Sequence, residues 1–363
     1  MVAPVHRELE FIRQNKKIPF LYGQGQEGWY EALKALGHTV KVFRYSDSFL
    51  IPNTLRIYLS SFFTNYFPVW KARFNRYSDK TNLFFWEDYV KNNKFKTLCN
   101  EFMPELILIS GGLHGIWPTT LEEVKKKYNS KSVLFSGVNP EYGTSEFDRE
   151  LLEKNFFDAV FANDAGYAKK WKKFGDKEAI VLPISSADPS IHKKIKLSKK
   201  EKAEYISDVC FIGTLSNYRQ KILLNLISFD LKIWGDIPPG VVLLSELKNF
   251  YKGKAVGEKM VKIYNASKIV INIHEKDMQY GGNMKTFEIP ACGAFQLIDN
   301  VSSKWFTNKK DAVVFENSND LVKKVKFYLK NEKERKKIAE NGYNKTLEKH
   351  LYKHHLKNIF KYI

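Results

Sequence analysis

Cysteine is scarce in this chain, and what there is follows no metal-binding pattern. Only Cys99, Cys210 and Cys292 occur in 363 residues, too few and too scattered for a disulfide framework or a zinc site. Cys210 and Cys292 fall inside predicted strand or helix and read as small core residues. Long apolar runs are missing too: no stretch reaches the ~18 residues needed to span a bilayer. The opening segment, Met1 to Glu10, lacks the apolar centre of a secretory signal. A cytoplasmic protein with reduced thiols is therefore expected. No zinc-finger, RNP or helix-turn-helix pattern appears, which argues against sequence-specific recognition of nucleic acid. Negative charge is also in deficit, with 40 acidic against 59 basic residues and a net charge of +19. The lysines are spread over 122–127, 193–202 and 323–337, mixed with glutamate and apolar residues as on solvated helix faces. A basic surface for a polyanion or an anionic membrane, reached peripherally, is the other reading of that excess.

What is present is a repeated α/β pattern. The length suits about two domains of ~150 residues, and the 44% hydrophobic content is ordinary for a globular protein. After a short helix at 5–15, the spacing predicts strands at 18–23, 39–45, 106–112, 132–137, 159–163 and 179–184. Helices fall between them at 29–36, 119–128, 145–155 and 165–174. Strands alternating with helices of this length imply a parallel sheet covered on both faces. Residues 182–192 carry Pro183 and Pro189 and no periodicity, and the strongly basic 193–202 follows, so a boundary is placed here. A second series then runs through strands 208–213, 231–235, 269–274 and 312–316 and helices 218–227, 258–266 and 319–329. The expected division is 1–188, 189–345 and a tail at 346–363 whose helix returns to the first domain. Two such domains facing each other make a cleft, where ligand sites concentrate.

Residues 49–90 interrupt the alternation. Aromatics such as Trp70, Trp86 and Tyr89 are interleaved there with Arg56, Lys71, Arg73 and Arg76. Such a segment either buries its rings as a helical insert or offers them to a sugar acceptor or a membrane surface. Gly23, Gly25 and Gly28 match G-x-G-x-x-G, but no acid ends the next strand where a dinucleotide site would want one, Asp47 being the nearest. His114 follows the C-terminal end of a strand, where α/β sheets place ligands, and is the candidate catalytic contact.

The stretch from Gly281 to Asn300 reads as a glycine loop, a helix and a buried strand. Gly281 and Gly282 allow close backbone approach, and Asn283 or Thr286 is placed to cap the helix. A helix start preceded by glycines suits an anion. Lys285 adds a charge there, and Glu288, about a turn further, can accept hydrogen bonds from vicinal hydroxyls. Together they fit a phosphate attached to a sugar. Glu275 and Asp277 nearby are too few for a metal site.

These residues carry a resemblance. Asp208–Gly213 with Tyr218 and Arg219 resembles the first strand of the donor domain in GT-B glycosyltransferases. Residues 264–274, followed by Asn283-x-Lys285-Thr-Phe-Glu288 and Ala291-Cys-Gly293, resemble the CgeB-like (spore maturation) group related to glycosyltransferase family 4. Leu182-Pro183 and Ala187-Asp188-Pro189 are similar to that family's interdomain stretch. The resemblance covers residues 180–345 well and the first half only in layout. It implies two Rossmann-like α/β domains facing a cleft, with a C-terminal helical tail. It implies transfer of a sugar from a nucleotide-activated donor; the residues offer a helix N-terminus with cationic side chains in place of metal ligands for the departing diphosphate, so no metal or other cofactor is expected. Glu288 would hold the ribose hydroxyls and Lys285 the diphosphate. Gly213 and Arg219 would line the phosphate side, and His274, Gly281, Gly282, Asn283 and Thr286 would complete the donor site. The family usually has a further glutamate eight positions before the ribose glutamate; here that position is Tyr280. The acceptor, whether glycan, lipid-linked glycan or protein, is not legible. A nucleotide-sugar epimerase of similar build, or a non-catalytic protein binding polyanions or membrane surfaces, is the competing function.

Overall fold

The computed structural model describes residues 2–3, 26–44, 85–111, 115–143, 146–176, 178–183 and 186–363. The expected helix at 5–15, the strand at 18–23, nearly all of the 49–90 insert and His114 lie outside the described residues. The first sheet contains β1 (Val2–Ala3), β2 (Phe43–Arg44), β3 (Leu106–Ser110), β4 (Lys131–Ser136), β5 (Ala159–Ala162) and β6 (Ile180–Val181). Its order is β2-β1-β3-β4-β5-β6, every pairing parallel. The sequence reading has no strand at Val2–Ala3, since two residues show no alternation.

Period-two patterning decides which helices cover which face. Leu108, Val133, Phe135, Ala159 and Phe161 point to one side and meet Trp29, Ala32 and Leu33 from the Gln26–Ala35 helix. Ile107, Ile109, Leu134, Val160 and Ala162 point to the other and meet Phe95, Leu121, Leu151 and Trp171. A parallel sheet buried on both faces needs apolar residues at every position, and these strands supply them. A helix at Phe85–Phe102, whose first residues close the expected insert, packs into the second face through Phe95 and Cys99.

The second sheet contains β7 (Ser207–Ile212), β8 (Leu231–Trp234), β9 (Ser267–Asn272), β10 (Gln296–Ile298) and β11 (Val313–Val314). The order is β11-β10-β9-β7-β8, again parallel throughout. Val209, Phe211, Ile269 and Ile271 line one core; Cys210, Ile212 and Val270 line the other, with Cys292. Burial of Cys210 without charge compensation pushes its thiol up to about 12, as befits a core residue.

The Glu332–Lys349 helix packs on the Lys285–Ala291 helix, and the chain then turns back. Leu351 bridges Ala187 in parallel fashion, and the Ser186 hydroxyl donates to the His350 carbonyl. The Tyr352–Ile359 helix lies against Gln26–Ala35 in the first half, with the Tyr352 and Trp29 rings edge to face at 5.2 Å. Gly28 makes this possible: a Cβ there would stand 2.2 Å from Tyr352 Cε2. The last glycine of the G-x-G-x-x-G match thus serves helix packing within the chain.

Candidate active site

In the second sheet β8 and β9 flank β7 on opposite sides, so the strand order reverses between β7 and β9. Open α/β sheets hold ligands in the crevice beyond the strand ends at such a point. Gly213 follows β7 there. Its N–H donates to the Trp234 carbonyl at 3.0 Å. A Cβ on Gly213 would stand 3.1 Å from Lys285 Cε and 3.3 Å from its Nζ. The missing side chain therefore lets the Lys285 amine reach the strand end.

Lys285 and Glu288 sit three positions apart on the short Lys285–Ala291 helix, which puts them on one face. Lys285 is half-buried and, among the described residues, makes no ion pair or hydrogen bond with its amine. Burial and then the nearby Arg219 guanidinium lower its ammonium to about 8, against the opposing pull of Glu288 and Glu275. Glu288 is 8% exposed. Among the described residues its carboxylate accepts no hydrogen bond, and its one ion-pair neighbour is His192, with Nε2 3.7 Å from Oε1. Arg219 is buried and braced: Nε donates to the Ile273 carbonyl at 2.9 Å and Nη1 to the Thr214 carbonyl at 3.1 Å. Its Nη1 also pairs with Glu275 Oε1 at 2.7 Å. Arg219 thus ties the β7 loop to the β9 loop and adds positive potential behind Lys285.

Other residues expected around the donor have different neighbours. His274 is fully buried, with Nδ1 against Asp299 Oδ1 at 2.6 Å and Nε2 accepting the Asn283 N–H at 3.1 Å. Both ring nitrogens are occupied, so His274 holds the loop in place and presents nothing to a ligand. Asn283 and Thr286 join Asn272 and Gln296 in a polar network. Asn283 Oδ1 accepts the Thr286 N–H at 3.2 Å, and the Phe287 N–H goes to the Met284 carbonyl. The expectation of an anion on this helix start is corrected accordingly: the helix has seven residues, and these N–H groups are already bonded. Charge at this end comes from the Lys285 side chain.

Gly281 and Gly282 approach protein closely. A Cβ on Gly281 would stand 2.2 Å from the Asn163 carbonyl oxygen, and one on Gly282 2.7 Å from Trp305. Gly281 forms an antiparallel bridge with Asp164, whose Oδ2 accepts the Tyr280 N–H at 2.7 Å. The Gly282 N–H donates to the Asn163 carbonyl at 3.2 Å. Asp164 also caps the Ala165–Trp171 helix by accepting the Tyr167 N–H. This loop therefore joins the two halves. Of the two acids that mimic a metal motif, Glu275 is paired with Arg219 and Asp277 meets Asn139 at 3.4 Å.

His192 and the Asn163–Asp164 pair escaped the sequence reading. His192 stood in a proline-broken linker with no periodicity to place it. Asn163 and Asp164 ended a strand like any cap; the only signal was an Asp opening a helix, which does not say that its second oxygen crosses to another domain.

Comparison with known proteins bears on the fold and the family. Residues 219–361 match the family described as "Glycosyl transferase-like". The spore protein CgeB of Bacillus subtilis is 25% identical over 209 residues, 52% of this chain and 63% of that protein's length. A glycosyltransferase of Rickettsia africae superposes with a TM-score of 0.62 at 14% identity, over 99% of this chain and 96% of its own. HepE of Anabaena, in a structure holding UDP-glucose, superposes with a TM-score of 0.54 at 12% identity, over 75% of this chain and 82% of its own. The chain is thus similar to CgeB, has the fold of the GT-B glycosyltransferases, and matches the glycosyl transferase-like family across residues 219–361.

Proposed function

We propose that this protein transfers a sugar from a nucleoside-diphosphate donor to an acceptor, with Lys285 on the diphosphate and Glu288 on the ribose. One observation carries the reading. Two opposite charges lie three positions apart beside the switch-point crevice, and neither side chain has a hydrogen bond among the described residues. A buried charge left without hydrogen bonds is costly, and a ligand with an anionic end and a diol end satisfies both. Cleaving the anomeric bond leaves a nucleoside diphosphate whose charge must be stabilised, which Lys285, with Arg219 behind it, is placed to do. In this reading a cation on a side chain performs the task that a metal performs elsewhere. HepE, bound to UDP-glucose, makes uridine the first nucleotide to try. The acceptor is expected on the side of the first domain. There Trp86 is 69% and Tyr89 46% exposed at the start of the Phe85–Phe102 helix, and such rings stack on sugar faces.

Calorimetric titration with UDP tests the assignment. Glu288→Ala should weaken binding about ten- to a hundredfold, from ~1.5–3 kcal/mol for a hydrogen bond to a charged group at ~1.4 kcal/mol per decade. Lys285→Ala should weaken UDP far more than uridine. Unchanged affinity in a folded Glu288→Ala protein removes the ribose role, and loss of wild-type binding on adding a chelator overturns the metal-free reading. Consumption of UDP-glucose without any acceptor, giving an epimer, would make the protein an epimerase.

A further inference from the structure

The chain crosses from the first sheet to the second through a tight turn at Asp188. The Asp188 carbonyl accepts the N–H groups of Ile191 at 3.1 Å and His192 at 2.7 Å. Its Oδ1 accepts from the Ser190 N–H and hydroxyl at 2.8 and 2.7 Å. Asp188 in turn donates its own N–H to His192 Nδ1 at 3.1 Å. A neutral imidazole whose Nδ1 accepts carries its proton on Nε2. That nitrogen faces Glu288 Oε1 at 3.7 Å, and His192 is 5% exposed. The ring is therefore held by one nitrogen on the crossing while its remaining N–H aims at the carboxylate. A shift of about half an ångström by Glu288 brings the pair within hydrogen-bonding range.

We propose that His192 is a positioning residue for the donor ribose, acting through Glu288. The proposal rests on the assignment of Glu288 to the ribose. A carboxylate on a flexible stem rotates freely, and a diol needs both of its oxygens turned the same way. A single N–H fixed on Oε1 sets that rotation and leaves lone pairs on both oxygens for the vicinal hydroxyls. The donor comes from the stretch that joins the two halves, so the ribose contact is set by the geometry of the crossing as well as by the second domain. The energetic consequence is specific: His192 contributes to binding only when the ribose hydroxyls are there to be oriented.

Titration with UDP and with its 2′,3′-dideoxy analogue isolates this contribution. His192→Phe keeps the ring volume without the donor, and His192→Asn keeps an acceptor for the Asp188 N–H but cannot reach Glu288. Both should lose about five- to tenfold in affinity for UDP and leave the dideoxy analogue unchanged. His192→Gln, which restores an N–H near the Nε2 position, should recover most of the preference. Equal losses for both ligands mean that His192 only supports the fold, and an unchanged preference in folded His192→Asn means that it does not act on Glu288; either overturns the proposal. Glu288→Gln is run in parallel. If it too keeps the full preference for UDP over the dideoxy analogue, the ribose assignment of Glu288 itself has failed, an outcome distinct from failure at His192 alone.

Discussion

Lys285 shows how position and environment together make a residue useful. A lysine on a helix surface keeps its proton to high pH and binds anions weakly through water. Here the ammonium stands against Gly213, partly out of water and, among the described residues, without an ion-pair partner, and burial lowers it to about 8. Below that value it is charged and, in the proposed role, would attract a diphosphate; above it the amine is neutral and the attraction would be lost. UDP affinity is therefore expected to fall between pH ~7.5 and ~9.5, by as much as tenfold or more, since a charged hydrogen bond contributes ~1.5–3 kcal/mol. Bound diphosphate favours the charged form, so the fall should trail the titration of the free site to higher pH. Lys285→Arg, whose guanidinium stays charged throughout, should flatten the profile. A wild-type profile already flat over that range would show that Lys285 does not meet the phosphates. The residue types and their three-position spacing were legible in the sequence. The lowered basicity was not, because it comes from burial in the folded protein and then from the Arg219 guanidinium, sixty-six positions away in the chain.

At the scale of elements, glycines set how closely helices and loops approach. Gly28 lies inside the Gln26–Ala35 helix, where glycine costs about 1 kcal/mol relative to alanine. Helix propensity alone predicts that Gly28→Ala stabilises the protein. The added Cβ would, however, meet the Tyr352 ring at 2.2 to 2.5 Å. That ring is buried and set edge to face on Trp29, so it cannot swing aside. Overpacking of this kind costs about 1–3 kcal/mol and outweighs the propensity gain. Gly28→Ala should lower the thermal midpoint in the wild type and raise it in a Tyr352→Ala background. A rise in both backgrounds would mean that the two helices are not packed this way. Sequence periodicity located the longer strands and most helices to within a few residues. It failed at β1 and overextended elements such as β6 and β11, because two-residue strands are defined by their neighbours and have no pattern of their own. It also assigned Gly281 and Gly282 to a ligand, whereas Asn163, Asp164 and Trp305 occupy the space their missing side chains leave.

Across the whole molecule, the return of the C-terminal helix buries two histidines at the junction between the halves. His350 and His355 stack at 5.6 Å and lie against Phe287 of the candidate site helix. Burial lowers His350 to about 4, a hydrogen bond to the Trp305 carbonyl notwithstanding, and lowers His355 to about 3. In the unfolded chain both imidazoles take protons near the ordinary 6.5. The unfolded state therefore binds more protons between that value and the folded ones. Stability is full above pH 6.5 and is lost as the pH falls toward 4, by up to about 1.4 kcal/mol per pH unit for each imidazole. Urea midpoints measured from pH ~7.5 to ~5 should fall steeply in the wild type and markedly less in a His350→Gln, His355→Leu double variant. Equal slopes in the two proteins would place the acid sensitivity elsewhere.

The sequence by itself determined the class of the molecule: the strand–helix alternation, its interruption near residue 188, and a glycine loop carrying Lys285 and Glu288. Those features are local, written in residue periodicity and spacing, and the resemblance to GT-B enzymes rested on them. Tertiary structure decided which partners each side chain meets. It turned His274 into an anchor for its loop and Gly281 into a contact between the halves. It also brought His192, from a linker with no pattern, to Glu288, ninety-six positions further along. Such contacts join segments far apart in the chain, and no local periodicity encodes a distance of that kind.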